Sequence, residues 1–184
     1  MRWALFVLLF VFSVTEVIWF LVFIIRKEKV AAQHTAISFL LIWVIYICAE
    51  ASYLFMPSIA FTLMIISFLV KSIFGYYLNL YHKSKKFDRL AHALGSFAFA
   101  IFFYYLLSNF LFYGGSRAFQ ALYILLLGVS VGTIYEIIEF FMDLNQRKKH
   151  KEKLQHGLKD TNIDLIADVI GSLAAAAMAF FVLL

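Results

Sequence analysis

Six apolar stretches, at 3–25, 36–55, 58–81, 90–112, 118–142 and 163–184, alternate with polar breaks along this chain of 184 residues. Each is close to the length, about 20 residues, that an α-helix needs to cross the hydrocarbon of a bilayer. The pattern predicts an all-α, polytopic membrane protein with six transmembrane helices. The breaks read RKEK (26–29), MPS (56–58), HKSKK (82–86), YGGSR (113–117) and the long NQRKKHKEKLQHGLKDTN (145–162). The opening MRWALFVLLFVFSV resembles the core of a signal peptide. No small-residue cleavage site follows, however, and the apolar run continues to Ile25, so it is read as a retained first span. Residues 1–184 are expected to form a single membrane domain. Spans one to three, about 3–81, make a peripheral half, and spans four to six, about 88–184, carry the motifs.

Composition supports this reading: 64% of residues are apolar, 15% are charged and there is one proline. A soluble domain carries about a quarter charged residues. Cys48 is the single cysteine, which excludes an intramolecular disulfide and any cysteine-based metal motif. The net charge of +5 comes from 16 Lys and Arg. Most of them fall in the first break, the third with its flanking Arg89, and the fifth, and outside those only Arg2, Lys71 and Arg117 remain. That is the positive-inside pattern: the three basic breaks are expected in the cytoplasm and both termini outside. No nucleic-acid partner is expected. The basic run at 147–159 is a candidate contact for anionic lipid headgroups. An inverted repeat of the transporter kind would give 1–81 and 88–184 matching motifs, and none is found.

Acidic residues interrupt the apolar pattern at a few places. Asp160, Asp164 and Asp168 recur every fourth residue, so on a helix each lies about 40° from the last and all three share one stripe. Asp168 would lie about 7 Å inside if the span begins near Ile163. Glu136, Glu139 and Asp143 fall at i, i+3 and i+7, again on one face, with Glu136 about 10 Å below the end of span five. Asp88 and His92 are one helical turn apart at the start of span four. Three consecutive spans therefore place ionisable groups at one cytoplasmic-side level. Small residues share those faces: Gly128 and Gly132 in span five, Gly171, Ala175 and Ala179 in span six, Gly95 and Ser96 in span four. Such ridges let helices approach closely, which turns the acids toward a bundle of spans four to six and away from lipid.

A carboxylate in hydrocarbon costs about 2.5 to 3.5 kcal/mol, and several together repel one another. Protons, basic side chains or a bound cation can neutralise them. Asp88, His92, Glu136, Glu139, Asp164 and Asp168 are the candidate metal ligands, with Mg, Mn, Ca or Zn as the candidate ion. Glu136, Asp164 and His92 are the candidate catalytic groups. Asp88, Asp143 and Asp160 also suit an ordinary role at helix ends, and Asp160 suits the cap of span six. Glu16 and Lys71, each near the middle of its span, are expected to pair.

The motifs FDRLAHALGSF (87–97), YEIIEFF (135–141) and LQHGLKDTNIDLIADVIGS (154–172) resemble the YjdF-type family of small bacterial membrane proteins. More distantly they are similar to the VanZ-like group associated with teicoplanin resistance. The YjdF-type pattern pairs a Glu-x-x-Glu helix with a later Asp-Thr-x-x-Asp and a glycine. Glu136, Glu139, Asp160, Thr161, Asp164 and Gly171 match it, while Asp88 and His92 match the start shared with VanZ-like chains. The chain departs in having Phe140 where the family has tryptophan, and in its long basic loop. The resemblance implies a bacterial cell membrane and leaves the reaction open. Three functions follow from the residues. One is a metal or acid-base centre acting on a lipid headgroup at the cytoplasmic leaflet, one a proton- or cation-coupled transporter, and one a non-catalytic envelope factor.

Overall fold

The computed structural model describes residues 2–111, 115–147 and 157–183, apart from the side chains of Arg2, His82 and residues 142–147. All regular structure among the described residues is helical. The elements are α1 (Arg2–Ile25), α2 (Lys29–Ala51), α3 (Ser58–Val70) running on into a π-helix (Lys71–Tyr77), and the single turn α4 (Leu80–Lys83). Then come α5 (Lys85–Ser108), α6 (Arg117–Arg147) and α7 (Leu158–Met178), the last ending in a π-helical turn (Ala179–Leu183). Six helices are long and apolar enough to cross a membrane. Their outer faces are covered with large apolar side chains, Ile25 at 79% exposure and Phe181 at 80% among them. That much exposed apolar surface suits lipid rather than water.

The six expected spans are present, but their ends differ. Helix α2 begins at Lys29, not at 36, because the chain reverses within the three residues 26–28. There α1 closes in a Schellman turn: the Lys27 N–H donates to Ile24 O (3.1 Å) and the Glu28 N–H to Phe23 O (2.9 Å). Lys27 takes the left-handed conformation this turn requires, with φ of 61°. Residues 29–35 are polar enough to read as loop, yet they are helical, and the buried Thr35 hydroxyl donates to the Ala32 carbonyl (3.0 Å). Helix α5 starts at Lys85 rather than 90 and stops at Ser108 rather than 112. Helix α7 starts at Leu158 rather than 163, which sets Asp164 and Asp168 two and three turns into it.

Two compact units are distinguished, one of residues 1–87 and 105–112, the other of 88–104 and 113–184. In the first, Phe23, Ala31 and Ala32 form a core against Trp19, Phe20, Tyr76 and Tyr77, with the Trp19 and Tyr77 rings 3.9 Å apart. Glu16, expected to pair with Lys71, takes bonds from two serine hydroxyls. Glu16, 1% exposed, accepts from the Ser72 hydroxyl (2.8 Å) and from the Ser38 hydroxyl (3.2 Å). The π-helix carries both Lys71 and Ser72, and Ser72 is one of the two donors to the carboxylate.

Candidate functional site

The second unit is built on close helix contacts. A Cβ on Gly132 would collide with the side chain of Asp168, and one on Gly128 with that of Ser172. Positions 128 and 132 thus meet 172 and 168 in descending order, so α6 and α7 run antiparallel, in a register that sets Glu136 opposite Asp164. A Cβ on Gly171 would strike the backbone carbonyl of Ala93. With Ala93 on Gly171 and His92 on Asp168, α5 and α7 run parallel. Gly128, Gly132 and Gly171 form the close contacts expected of them from the sequence, and they bring the polar stripes of the three helices together.

His92 is the hub. Its side chain is buried at 4% exposure, as are those of Glu136 (5%), Asp164 (4%) and Asp168 (2%). One ligand atom each from Asp88, His92 and Asp164 lie within 4.8 Å of one another. The same holds for His92, Glu136 and Glu139. His92 Nε2 is 3.7 Å from Glu136 Oε1. Two ligands on a tetrahedral ion at about 2.1 Å stand about 3.4 Å apart, so this pair is near the spacing a metal would impose.

Asp168 lies at the other ring nitrogen. Its Oδ2 is 3.4 Å from His92 Nδ1, which donates in the tautomer protonated there. Asp168 Oδ1 accepts a short bond from the Ser96 hydroxyl (2.6 Å), and Ser172 donates to the Asp168 carbonyl (2.7 Å). The Ser172 bond is to the backbone of Asp168, so it is Ser96 that orients the Asp168 carboxylate, and the carboxylate in turn faces the imidazole, the arrangement in which a carboxylate fixes a histidine for work at its other nitrogen. The Tyr135 ring meets the imidazole edge to face at 5.4 Å.

Of the candidates named from the sequence, Asp88, His92, Glu136, Glu139 and Asp164 are brought together, and Asp168 sits behind His92 rather than in either three-residue group. Asp160 does not cap α7. That place belongs to Gly157, whose carbonyl accepts from the Asp160 N–H (2.9 Å), so Asp160 stands in the first turn. The Asp143 side chain lies outside the described residues, as does the basic loop from 148 to 156. The supporting roles of Ser96, Ser172 and Tyr135 were not read from the sequence. Ser96 follows His92, and Ser172 follows Asp168, by one helical turn, and that spacing is the signal that could have found them.

Residues 4–184 match the family described as "Predicted membrane protein (DUF2238)". The chain belongs to this family. It is also similar to an uncharacterized protein of Thermotoga maritima, with 33% identity over 114 residues, which is 62% of this chain and 58% of that protein. No solved structure matches the chain. A DUF2238 protein is therefore, at the level the comparisons reach, an integral membrane protein, and the centre around His92 has to be read from its own geometry.

Proposed function

We propose that the centre around His92 binds a divalent cation and uses it to hold or act on the anionic headgroup of a membrane lipid. The observation that carries this reading is that two three-residue sets of ligand atoms share His92, each within 4.8 Å. Carboxylates gathered in an apolar unit repel one another, and a cation is an economical way to neutralise them. The donor set mixes one imidazole with carboxylate oxygens. Mg, Mn and Ca favour the oxygens, and the imidazole also suits Zn. A bound ion would supply Lewis-acid polarisation of a phosphoryl oxygen. Asp168, its carboxylate held by Ser96, keeps Nε2 of His92 directed at Glu136.

The distribution of Lys and Arg supports basic breaks on the cytoplasmic side and both termini outside, in a bacterial plasma membrane. The basic run at 147–159 is the proposed approach for an anionic headgroup. The YjdF-type kinship and the more distant VanZ-like one rest on the Asp88 and His92 pair and the two acidic motifs. Metal analysis of the purified protein tests the proposal: one of Mg, Mn, Ca or Zn should bind, and an E136Q/D164N double variant that remains monodisperse should lose it. No binding by the parent protein, or equal binding by the variant, would end the metal reading.

A cation-coupled transporter is the second reading, favoured by the buried Glu16 and Lys71 in the middle of spans in the first unit. Proteoliposomes showing no pH- or cation-dependent flux would remove it.

A further inference from the structure

The first unit contains a groove that takes no part in the centre around His92. It has a volume of about 290 Å³ and lies between the end of α1 and the start of α2. Phe20, Phe23 and Ile24 form one wall, and Ala32 and Ala36 leave room on the other. Lys27 and Lys29 stand at its mouth, both exposed. The turn from 26 to 28 joins two helices that cross the membrane, so the groove runs from the level of lipid headgroups into that of the acyl chains.

We propose that this groove binds an anionic phospholipid, with the phosphate between Lys27 and Lys29 and a segment of one acyl chain along the Phe20, Ile24 and Ala36 surface. Charge complementarity selects the occupant. A soluble anion would leave the apolar walls unused, and a zwitterionic headgroup would set its own cation beside two lysines. Basic side chains flanking gaps between membrane helices are a recurrent way of holding acidic headgroups. The volume is near the lower end of small-molecule sites, about 300 Å³, which suits part of a chain rather than a whole lipid. Arg26 is already engaged over the Tyr77 ring, 5.0 Å from its centroid, and braces the turn. That leaves the two lysines for the ligand.

Lys27 supports the same assignment. It occupies the left-handed position of a Schellman turn, with φ of 61°, where glycine is the usual residue. Glycine would be easier for the backbone but would bring no charge. This separates binding from folding in a single variant.

The test titrates the full-length protein in detergent with phosphatidylglycerol and with phosphatidylcholine of identical acyl chains, bound lipid being read by native mass spectrometry. Phosphatidylglycerol should bind more tightly. The K27Q/K29Q variant should lose about thirtyfold of that affinity, at about fivefold per lysine. The K27G variant should lose about fivefold while its thermal unfolding temperature stays level or rises. Filling the groove with A36L should weaken both lipids. Equal binding of the two lipids, a preference indifferent to both lysine variants, or displacement of phosphatidylglycerol by millimolar inorganic phosphate alone would each overturn the proposal.

Discussion

Both units bury carboxylate, but they treat it differently. In the first unit, Glu16 stands among hydroxyls, and its two oxygens accept from Ser72 and Ser38. That arrangement ties α1 to α2 and to the π-helix, and it is complete as it stands. In the second unit several carboxylates converge on one imidazole, and Asp168 turns that imidazole toward Glu136. Buried polar groups that satisfy each other serve as clamps, whereas like charges drawn together call for a further partner. The contrast teaches that depth in the membrane alone does not mark a functional acid; the company it keeps does.

The largest effect should come from packing. In the second unit a methyl group on Gly171 meets the Ala93 backbone, which cannot step aside. In the first, a methyl on Gly75 meets only the ring of Tyr81, which can turn. Thermal unfolding in detergent should show G171A destabilised by about 3 kcal/mol, at the upper end of overpacking, and G75A by less than about 1 kcal/mol. Equal effects would mean that the two units tolerate close approach alike.

Next in size is the orienting carboxylate. D168N keeps the shape but weakens the hold on His92 Nδ1, and divalent-metal affinity measured by calorimetry should fall about 10- to 100-fold. S96A acts on the other oxygen of the same carboxylate, removing the bond that orients it, and affinity should fall toward the lower end of that range. An unchanged affinity in both would place Asp168 outside the metal's support.

The Glu16 clamp should respond in a different way. E16A strands the buried Ser72 hydroxyl, while Ser38 keeps the Thr35 carbonyl (3.1 Å), and should cost about 1 to 3 kcal/mol of stability. E16Q keeps an acceptor and adds a donor, so its cost should stay below about 1 kcal/mol. A large loss with E16Q would show that the negative charge itself matters in the first unit, and the contrast between the units would collapse. Among the truncations to alanine the smallest effect is expected at Gln120, which accepts from the Tyr104 hydroxyl at a partly buried position. Q120A should cost about 1 kcal/mol without altering metal or lipid binding.

The helices and their polar stripes were legible in the sequence because both follow from local periodicity. An apolar run of sufficient length must be helical in lipid, since no other open structure satisfies its backbone there. Asp160, Asp164 and Asp168 must share a face once that segment is helical, and Gly128 and Gly132 mark a surface that another helix can approach. The start of α2 was misplaced because residues 29–35 are polar in composition while their backbone is continuous with the span. The π-helix at Lys71–Tyr77 had no visible mark, since it is stabilised by what surrounds it rather than by its own residues.

What the sequence determined alone is the number of spans, the residues available for chemistry and the faces on which they lie, because the helical repeat converts spacing into direction. Tertiary structure decided which oxygen meets which proton. It gave Glu16 two serine hydroxyls, put Asp168 behind His92 rather than beside Glu136, and drew Asp88 and Asp164 to one imidazole. Those choices depend on helix register and on gaps left by single glycines. A few ångströms of sliding between helices, invisible to any local pattern, would change every one of these partners.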